Sequence, residues 1–410
     1  MALANFVNPF RPGAGHMPPY LAGRENEKKE FARLLEQDVI LQNLVLTGLR
    51  GVGKTVLLDT LRPMAVKAGW AWVGTDLSET ASLSEENLAT RLLTDLSVFT
   101  STIVLAQRNA QQIGFAGQSS LVNESLSYPL LTQIFNTTPG LISDKLKRVL
   151  ETVWENTDKR RCNGIVFAYD EAQMLSDHRA REQYPLSVLL DVFQSIQRKG
   201  IPFMLVLTGL PTLYPKLVEA RTFSERMFHI VVLDRLGAAD SKEAMLRPIK
   251  AAICPVSFDD ASVETVVNIS GGYPYFIQFM CREVFDLFIQ QKAARLRLSV
   301  PVAEIVQKLD SDFFAGRWSR ATDRQRDLLS VISTLPAAED ADFEFTGKEI
   351  SLQSKIKLAK EISPSQVNQM LSALASAGLV YRNRHGKYSF AVPLLGRFIR
   401  RQAGVQPLLL

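Results

Sequence analysis

The sequence predicts an α/β protein with a five-stranded parallel sheet, followed by an all-helical segment and a small C-terminal domain. Two observations predict the core: short apolar runs alternate with longer helical patterns as far as Leu233, and a glycine-rich loop follows the first run. A third observation predicts the rest, because strand patterns stop after Leu233 and only helical spacing continues to about Ala315.

The strand candidates are short apolar runs, each followed by turn residues or by a change to polar residues. They are Leu44–Thr47, Trp70–Thr75, Ile165–Tyr169, Phe203–Thr208 and His229–Leu233. Between them lie amphipathic stretches such as Ser143–Thr157 and Pro185–Gly200, the second of which ends in a lysine and a glycine. Strands that alternate with helices in this way indicate a parallel sheet.

The last 90 or so residues have a different pattern. Thr322 is placed to cap one helix, a short helix follows near Lys348–Leu358, and Ser363 with Pro364 begins a third that stops at Gly378. Residues 379–392 then alternate around a turn at His385-Gly386, which indicates a hairpin. Three helices followed by a hairpin is the order of a winged helix.

Composition restricts the class of protein. The chain has 410 residues and is 46% hydrophobic, which is ordinary for a globular protein. No stretch approaches the roughly 20 apolar residues that span a bilayer, and the N-terminus does not resemble a signal peptide, so we expect no membrane partner. Three widely spaced cysteines, Cys162, Cys254 and Cys281, suit a reducing compartment. We therefore expect a cytoplasmic protein.

Positive charge is concentrated at the C-terminal end. The whole chain carries a formal charge of +5, and residues 318–410 alone hold 13 Lys and Arg against 8 Asp and Glu. Clustering of one sign favours an anionic partner, of which nucleic acid is the usual one, although a solvated basic surface has the same pattern.

The segment from Gly48 to Thr55 fits the pattern G-x-x-x-x-G-K-[ST] between a strand and a helix. Glycines at Gly48, Gly51 and Gly53 let backbone N–H groups approach phosphate oxygens at a helix N-terminus. Lys54 supplies a charge to the β- and γ-phosphates, and the Thr55 hydroxyl is a ligand for Mg²⁺. This pattern predicts a phosphate-binding loop for ATP or ADP.

A second motif, Gly164 to Leu175, brings two carboxylates to the end of an apolar strand. Asp170 is placed to hold Mg²⁺ through water, and Glu171 is placed to activate an attacking water molecule. The competing interpretation is that the two acids only cap the helix that follows.

With these motifs the chain resembles the AAA+ class of P-loop ATPases, in bacteria or archaea, and within it the branch of origin-recognition and STAND-type signalling ATPases. The resemblance extends from about Pro18 to Gln402. It implies an ATPase core over residues 1–235 with an insertion near 97–140, a helical lid over 236–317 and a winged helix over 318–410. It also implies that Tyr20, Leu21 and Arg24 lie against the adenine, and that Val52 and Val56 line the nucleotide.

The resemblance further implies roles for four residues outside these motifs. Thr208 stands at the sensor-1 position, where many relatives have Asn. Arg226 stands at the position of the arginine finger, with Arg221 as the alternative, and a finger implies a homo-oligomer. Pro274 matches the proline that packs on nucleotide in STAND-type relatives.

Tyr275 follows Pro274, where AAA+ enzymes that hydrolyse ATP briskly have arginine. The missing cation implies slow ATP hydrolysis, unless Arg282 substitutes for it.

Two functions remain open from the sequence. In the first, an ATP-dependent switch binds double-stranded DNA through the winged helix, with Lys355, Lys357, Gln366, Arg382, Arg384 and Lys387 as the candidate contacts. In the second, a STAND-like signalling or defence ATPase binds a protein through its winged helix or through residues 97–140, and self-assembles on ATP.

Overall fold

The structure is a computed structural model that describes residues 6–13, 15–110, 120–336, 338, 343–384 and 386–404. Side chains are described for these residues except 106–110, 120–124 and 384. The chain forms two compact units. We call Glu25–Thr47 with Leu57–Val232 the sheet unit, and Met1–Arg24 with Gly48–Val56 and Leu233–Leu410 the lid unit.

The elements up to residue 232 are as follows, with α2 beginning in the lid unit and continuing in the sheet unit. They are α1 (Glu25–Leu35), β1 (Asn43–Thr47), α2 (Lys54–Lys67), β2 (Trp70–Val73), α3 (Glu85–Thr100), β3 (Val104–Ala110), β4 (Ser120–Ser125), α4 (Tyr128–Thr137), α5 (Ile142–Glu155), β5 (Gly164–Tyr169), α6 (Pro185–Arg198), β6 (Phe203–Gly209), α7 (Leu213–Ala220), α8 (Ser224–Met227) and β7 (Phe228–Val232).

The sheet has five parallel strands in the order β2-β5-β6-β1-β7, which confirms the predicted fold class. β1, β5 and β6 are buried along their whole length, as expected for strands covered by helices on both faces. Because the strands are parallel, their carboxyl ends lie at one edge of the sheet. Thr47, Tyr169 and Gly209 end their strands at that edge.

The predicted insertion near residues 97–140 contains the end of α3, the antiparallel pair β3 and β4, and α4. Neither β3 nor β4 was predicted from the sequence. The stretch 111–119, which falls in the same insertion, lies outside the described residues.

The lid unit continues with helices and a small sheet. Its elements after residue 232 are α9 (Ala238–Ala251), α10 (Asp260–Ser270), α11 (Pro274–Ala293), α12 (Val302–Leu309), a π-helical turn (Asp310–Phe314), α13 (Ala315–Trp318), α14 (Asp323–Ser333), β8 (Phe345–Thr346), α15 (Gly347–Lys357), α16 (Pro364–Ser376), β9 (Val380–Arg384), β10 (Lys387–Phe390) and α17 (Leu395–Gln402).

We call the described part of residues 319–404 the C-terminal module. Its three strands pair antiparallel in the order β8-β10-β9, beside helices α14 to α17. Thr322 and Ser363 cap α14 and α16 through capping boxes with Gln325 and Gln366, as the sequence predicts. His385 of the predicted turn lies outside the described residues. The order of elements is the one expected of a winged helix.

Candidate nucleotide site

The phosphate-binding loop follows β1, and α2 begins at Lys54. Gly51 (φ 80°) and Gly53 (φ 91°) adopt the left-handed region that favours glycine. A Cβ atom on Gly48 would lie 2.4 Å from the Leu233 carbonyl oxygen, so this position also requires glycine. The structure thus gives a physical reason for each glycine of the predicted motif.

Lys54 is buried against its own loop. Its Nζ donates hydrogen bonds to the carbonyl oxygens of Gly48 at 2.9 Å and Leu49 at 3.0 Å. Phosphate oxygens carry charge and form stronger hydrogen bonds with an ammonium group than neutral carbonyls do. Thr55 and Val56 follow in the first turn of α2, where both are half-buried. The loop therefore has the composition and backbone geometry that a nucleotide phosphate requires.

Arg24 ties the N-terminal segment to this loop. Its buried Nη2 donates to the carbonyl oxygens of Val52 at 3.0 Å and Asp234 at 2.7 Å. Tyr20, four residues earlier, donates its hydroxyl to Glu243 of α9 at 3.0 Å. Both residues, and the half-buried Leu21, were predicted to lie against adenine, and the structure places them in the same unit as the loop.

The start of α11 lies directly against the loop. The Tyr275 N–H donates to the Gly51 carbonyl oxygen at 3.1 Å, and the Leu236 N–H donates to the Gly272 carbonyl oxygen at 2.8 Å. Pro274, the first residue of α11, is half-buried beside them. The predicted Gly-x-Pro motif of the lid is therefore part of the surroundings of the loop.

Tyr275 and two arginines extend these surroundings. The Arg317 guanidinium lies 4.2 Å from the centre of the Phe313 ring, and the Tyr275 ring lies 5.2 Å from the same ring. Burial, and then the nearby Arg50 charge, lower the pKa of Arg317. Arg50 belongs to the loop, and a Cβ atom on Gly378 at the end of α16 would lie 3.4 Å from its Nη2 atom. Arg50 of the loop therefore lies close to the end of α16 in the C-terminal module.

A cavity in the lid unit makes the same connection. It is lined by residues from three segments of the lid unit: Leu49 of the loop, Tyr273 just before α11, and Tyr381, Phe390 and Arg397 of the C-terminal module. Arg397 also donates to the Asn268 carbonyl oxygen of α10 at 2.9 Å. The loop, the residues around the start of α11 and the C-terminal module therefore surround one cavity within the lid unit.

The acidic residues lie in the sheet unit. Asp170 follows β5 and is buried, and the buried Thr208 of β6 donates its hydroxyl to Asp170 Oδ1. The Glu171 N–H also donates to Asp170 Oδ1, at 2.7 Å. Burial and then the Asp170 charge raise the pKa of both Asp59 and Asp76. The predicted metal ligand and the predicted sensor-1 residue are thus in direct contact.

Glu171 is exposed and has a left-handed backbone (φ 51°), which is uncommon for a residue with a side chain. Gln173 donates a hydrogen bond from Nε2 to Glu171 Oε2. Gln173 belongs to the Gly164–Leu175 motif, but no role was predicted for it from the sequence.

The two candidate arginine fingers differ in their surroundings. Arg221 donates to both carboxylate oxygens of Asp191, at 2.8 Å and 2.6 Å, and to the Ser187 hydroxyl at 2.8 Å. Arg226 is exposed in α8, and among the described residues it forms no ion pair. Arg221 is therefore held by an ion pair within the sheet unit, whereas Arg226 is exposed to solvent.

The candidate DNA contacts lie on the C-terminal module. Lys387 pairs with Glu344 at 3.2 Å, Lys355 pairs with Glu361 at 3.5 Å, and Gln366 accepts a hydrogen bond from the Ser363 N–H in the capping box. Lys357 and Arg382 are exposed, whereas the Arg384 side chain lies outside the described residues. Arg282, the alternative source of a lid cation, is exposed on α11.

Comparisons with solved structures define the class of fold. The Walker-type ATPase of Pyrococcus abyssi is 16% identical and aligns with a TM-score of 0.55 over 95% of this chain and 98% of its own. The ORC2 protein of Aeropyrum pernix in its ADP form is 14% identical, with a TM-score of 0.53 over 97% of this chain and 100% of its own. The chain therefore has the fold of AAA+ P-loop ATPases of the origin-recognition type.

Sequence comparisons add less. Residues 311–399 match the family described as Domain of unknown function (DUF8462). No curated protein matches the sequence. None of the helices in the described ranges has both the length and the hydrophobicity needed to cross a lipid bilayer.

Proposed function

We propose that this chain is an ATP-binding AAA+ switch that hydrolyses ATP slowly and transmits its nucleotide state to a DNA-binding winged helix. The observation that supports this most is the set of contacts around the phosphate-binding loop. Arg24 and Tyr275 form hydrogen bonds with that loop, and Leu49 of the loop lines one cavity together with Tyr381 and Phe390 of the C-terminal module. A change of loop conformation must therefore alter contacts with the lid and with the module.

In this proposal each step of ATP binding and hydrolysis is assigned to a residue. Lys54 and the loop N–H groups would hold the phosphates, and Thr55 and Asp170 are the residues that would each supply an oxygen ligand to Mg²⁺. Bound Mg²⁺ neutralises phosphate charge and orients the transferred group. Glu171 accepts the proton of the attacking water, and Thr208 fixes the orientation of Asp170.

The proposal of slow ATP turnover depends on Tyr275, the residue that follows Pro274. Tyr275 offers a neutral ring and hydroxyl, and burial raises its pKa, so it carries no charge at neutral pH. It therefore lacks the positive charge with which an arginine at this position would stabilise the negative charge that develops on phosphate in the transition state. We assign the arginine finger to Arg226, which acts on the nucleotide of a second copy in an oligomer.

The first experiment measures nucleotide binding and ATP hydrolysis by the wild type and two variants. Lys54→Ala should weaken ATP binding at least about tenfold, because a charge-assisted contact is lost. Glu171→Gln should bind ATP normally and lose about 10²-fold or more in turnover, because it removes the base. ATP binding that is the same in wild type and Lys54→Ala would disprove the assignment of the loop.

The second experiment measures DNA binding by fluorescence anisotropy with ATP, with ADP and without nucleotide, across a salt series. A companion protein carries Arg382, Arg384 and Lys387 changed to Ala. We expect nucleotide-dependent binding that weakens steeply with salt and is lost in the triple variant. DNA binding that is absent at low salt under every nucleotide condition would remove the DNA half of the proposal.

One observation favours the alternative, a STAND-like ATPase that binds a protein partner. α15 exposes Leu352 and Ile356, four residues apart, with 56% and 76% of their surface accessible. The exposed positions of α16 include Ser365, Asn368 and Gln369 but no cation. If DNA binding fails, ATP-dependent self-association measured by light scattering, and its loss in Arg226→Ala, would support this second function.

A further inference from the structure

Gln173 forms hydrogen bonds both with Glu171, the proposed base, and with Leu210 at the end of β6. We infer that Gln173 is a positioning residue that holds Glu171 in a resting arrangement and releases it when the end of β6 moves. This inference rests on the proposed ATPase function and adds a control of its turnover.

The first contact of Gln173 is with the proposed base. Its Nε2 donates to Glu171 Oε2, although the rest of the Glu171 side chain is exposed to solvent. A carboxylate has two oxygens and about four acceptor sites, so this bond does not remove its basicity but fixes the direction in which the Glu171 carboxylate points. The left-handed backbone of Glu171 sets the direction of its Cα–Cβ bond, and the hydrogen bond from the Gln173 amide sets the position of its carboxylate.

The second contact is with the end of β6. Gln173 Oε1 accepts a hydrogen bond from the Leu210 N–H at 3.0 Å, directly after the last residue of the strand. Gly209 makes room for this amide, since a Cβ atom there would lie 2.5 Å from Gln173 Oε1. Lys216 of α7 donates its ammonium group to the Gln173 carbonyl oxygen at 2.5 Å and so anchors the backbone.

The two ends of β5 and β6 are therefore joined twice. Thr208 donates to Asp170, and Leu210 donates to Gln173, which in turn donates to Glu171. A ligand that draws Asp170 and Thr208 toward it shifts the end of β6 and loosens the second connection. A primary amide suits this task because it offers a donor and an acceptor on one rigid group.

Steady-state ATP hydrolysis by two substitutions of Gln173 tests the inference. Gln173→Leu removes both hydrogen bonds, and Gln173→Glu keeps an acceptor for the Leu210 N–H but places a carboxylate beside Glu171. Both variants free the base, so we expect kcat to rise about tenfold with KM changed less than about twofold. A residue that only supports the fold would not raise kcat.

Gly209→Ala is an independent way to displace the amide, because its Cβ atom would lie 2.5 Å from Gln173 Oε1, which is too close for both atoms to keep their positions. It should raise kcat as the Gln173 variants do, and should add nothing in the Gln173→Leu background if both act through one contact. Thermal unfolding and ATP binding of each variant show that it has folded.

Folded Gln173 variants with a wild-type or lower kcat would overturn the inference. That result leaves the proposed function intact as long as the wild type hydrolyses ATP in a manner that requires Lys54 and Glu171. A wild type that hydrolyses no ATP, or that hydrolyses it equally well as Lys54→Ala, would overturn the proposed function and this inference together.

Discussion

Arg221 and Arg226 lie on either side of a single tight turn and differ in what surrounds them. The hydrogen bonds that Arg221 donates to Asp191 raise the pKa of Arg221, which also donates to the Ser187 hydroxyl. Arg226, by contrast, is exposed to solvent. The choice between them therefore depends on tertiary contacts, which residue order alone does not reveal.

Exchange of each arginine for alanine separates the two roles. Arg226→Ala should lower ATP turnover at least about tenfold at protein concentrations that allow assembly, and should leave the free energy of unfolding unchanged. Arg221→Ala should lower that free energy by about 1 kcal/mol, because its ion pair is one-third exposed and screened by solvent. Equal turnover in Arg226→Ala and wild type would exclude Arg226 as the finger.

Gly51 offers a test of the loop with a matched control. Gly51 has φ 80° and its added Cβ would lie 3.1 Å from Tyr275 Cβ, whereas Gly200 has φ 74° and open space around it. Both Gly→Ala substitutions should cost about 1–2 kcal/mol of stability from backbone strain. Only Gly51→Ala should also weaken ATP binding, measured with a fluorescent nucleotide. Equal ATP affinity in the two variants would contradict this.

At the scale of elements, one ion pair fastens the last helix. Arg401 of α17 donates to both oxygens of Asp310 in the π-helical turn, at 2.9 Å and 2.5 Å, and both side chains are about 85% buried, with 15% and 13% exposure. Phe398, one turn earlier, stacks on Phe314 at 5.1 Å. α17 is thus held by a charged pair and an aromatic pair together.

Arg401→Ala leaves the Asp310 carboxylate buried without this partner. We expect it to lower the free energy of unfolding by about 2–3 kcal/mol, measured by urea denaturation. The exposed Arg320→Ala is the control and should change that free energy by less than about 0.5 kcal/mol. A loss in Arg401→Ala no larger than in the control would show that the pair contributes little.

The elements that sequence reasoning found are those whose residues are similar over several positions. β1, β5 and β6 are continuous apolar runs because both of their faces are buried, and the glycines of the loop follow a fixed spacing. β3 and β4 carry polar residues and were missed, because their pairing with each other is not encoded by hydrophobicity. β8 has two residues, too few for any period.

The candidate site divides in the same way. The phosphate-binding loop and Asp170-Glu171 are local motifs, so their positions could be read from the sequence. The hydrogen bond between Gln173 and Leu210 joins residues 37 positions apart, and Arg50 lies near Gly378, which is most of the chain away in sequence. Contacts of this kind depend on the packing of whole elements and have no local signature.

At the scale of the molecule, the three cysteines report on both units. Cys162 of the sheet unit and Cys281 of the lid unit are buried, whereas Cys254 is partly exposed. Burial raises the thiol pKa of all three, most strongly for Cys281, and so slows thiolate formation. The native protein should therefore react with Ellman's reagent at one thiol, and the urea-unfolded protein at three. A second fast thiol in the native protein would contradict the packing of the unit that contains it.

The order of segments along the chain has a consequence for how such a protein can change in evolution. The lid unit consists of three segments, residues 1–24, 48–56 and 233–410. Residues of the sheet unit lie between each of these segments and the next along the chain. A single crossover between two genes cannot exchange either unit whole. A recombinant that received a new lid would keep the old Arg24 and Gly51, whose partners at Asp234 and Tyr275 would now come from another lineage. Because residues 48–56 and 233–410 must stay matched, we expect such genes to diverge as a whole and not to exchange one segment by recombination.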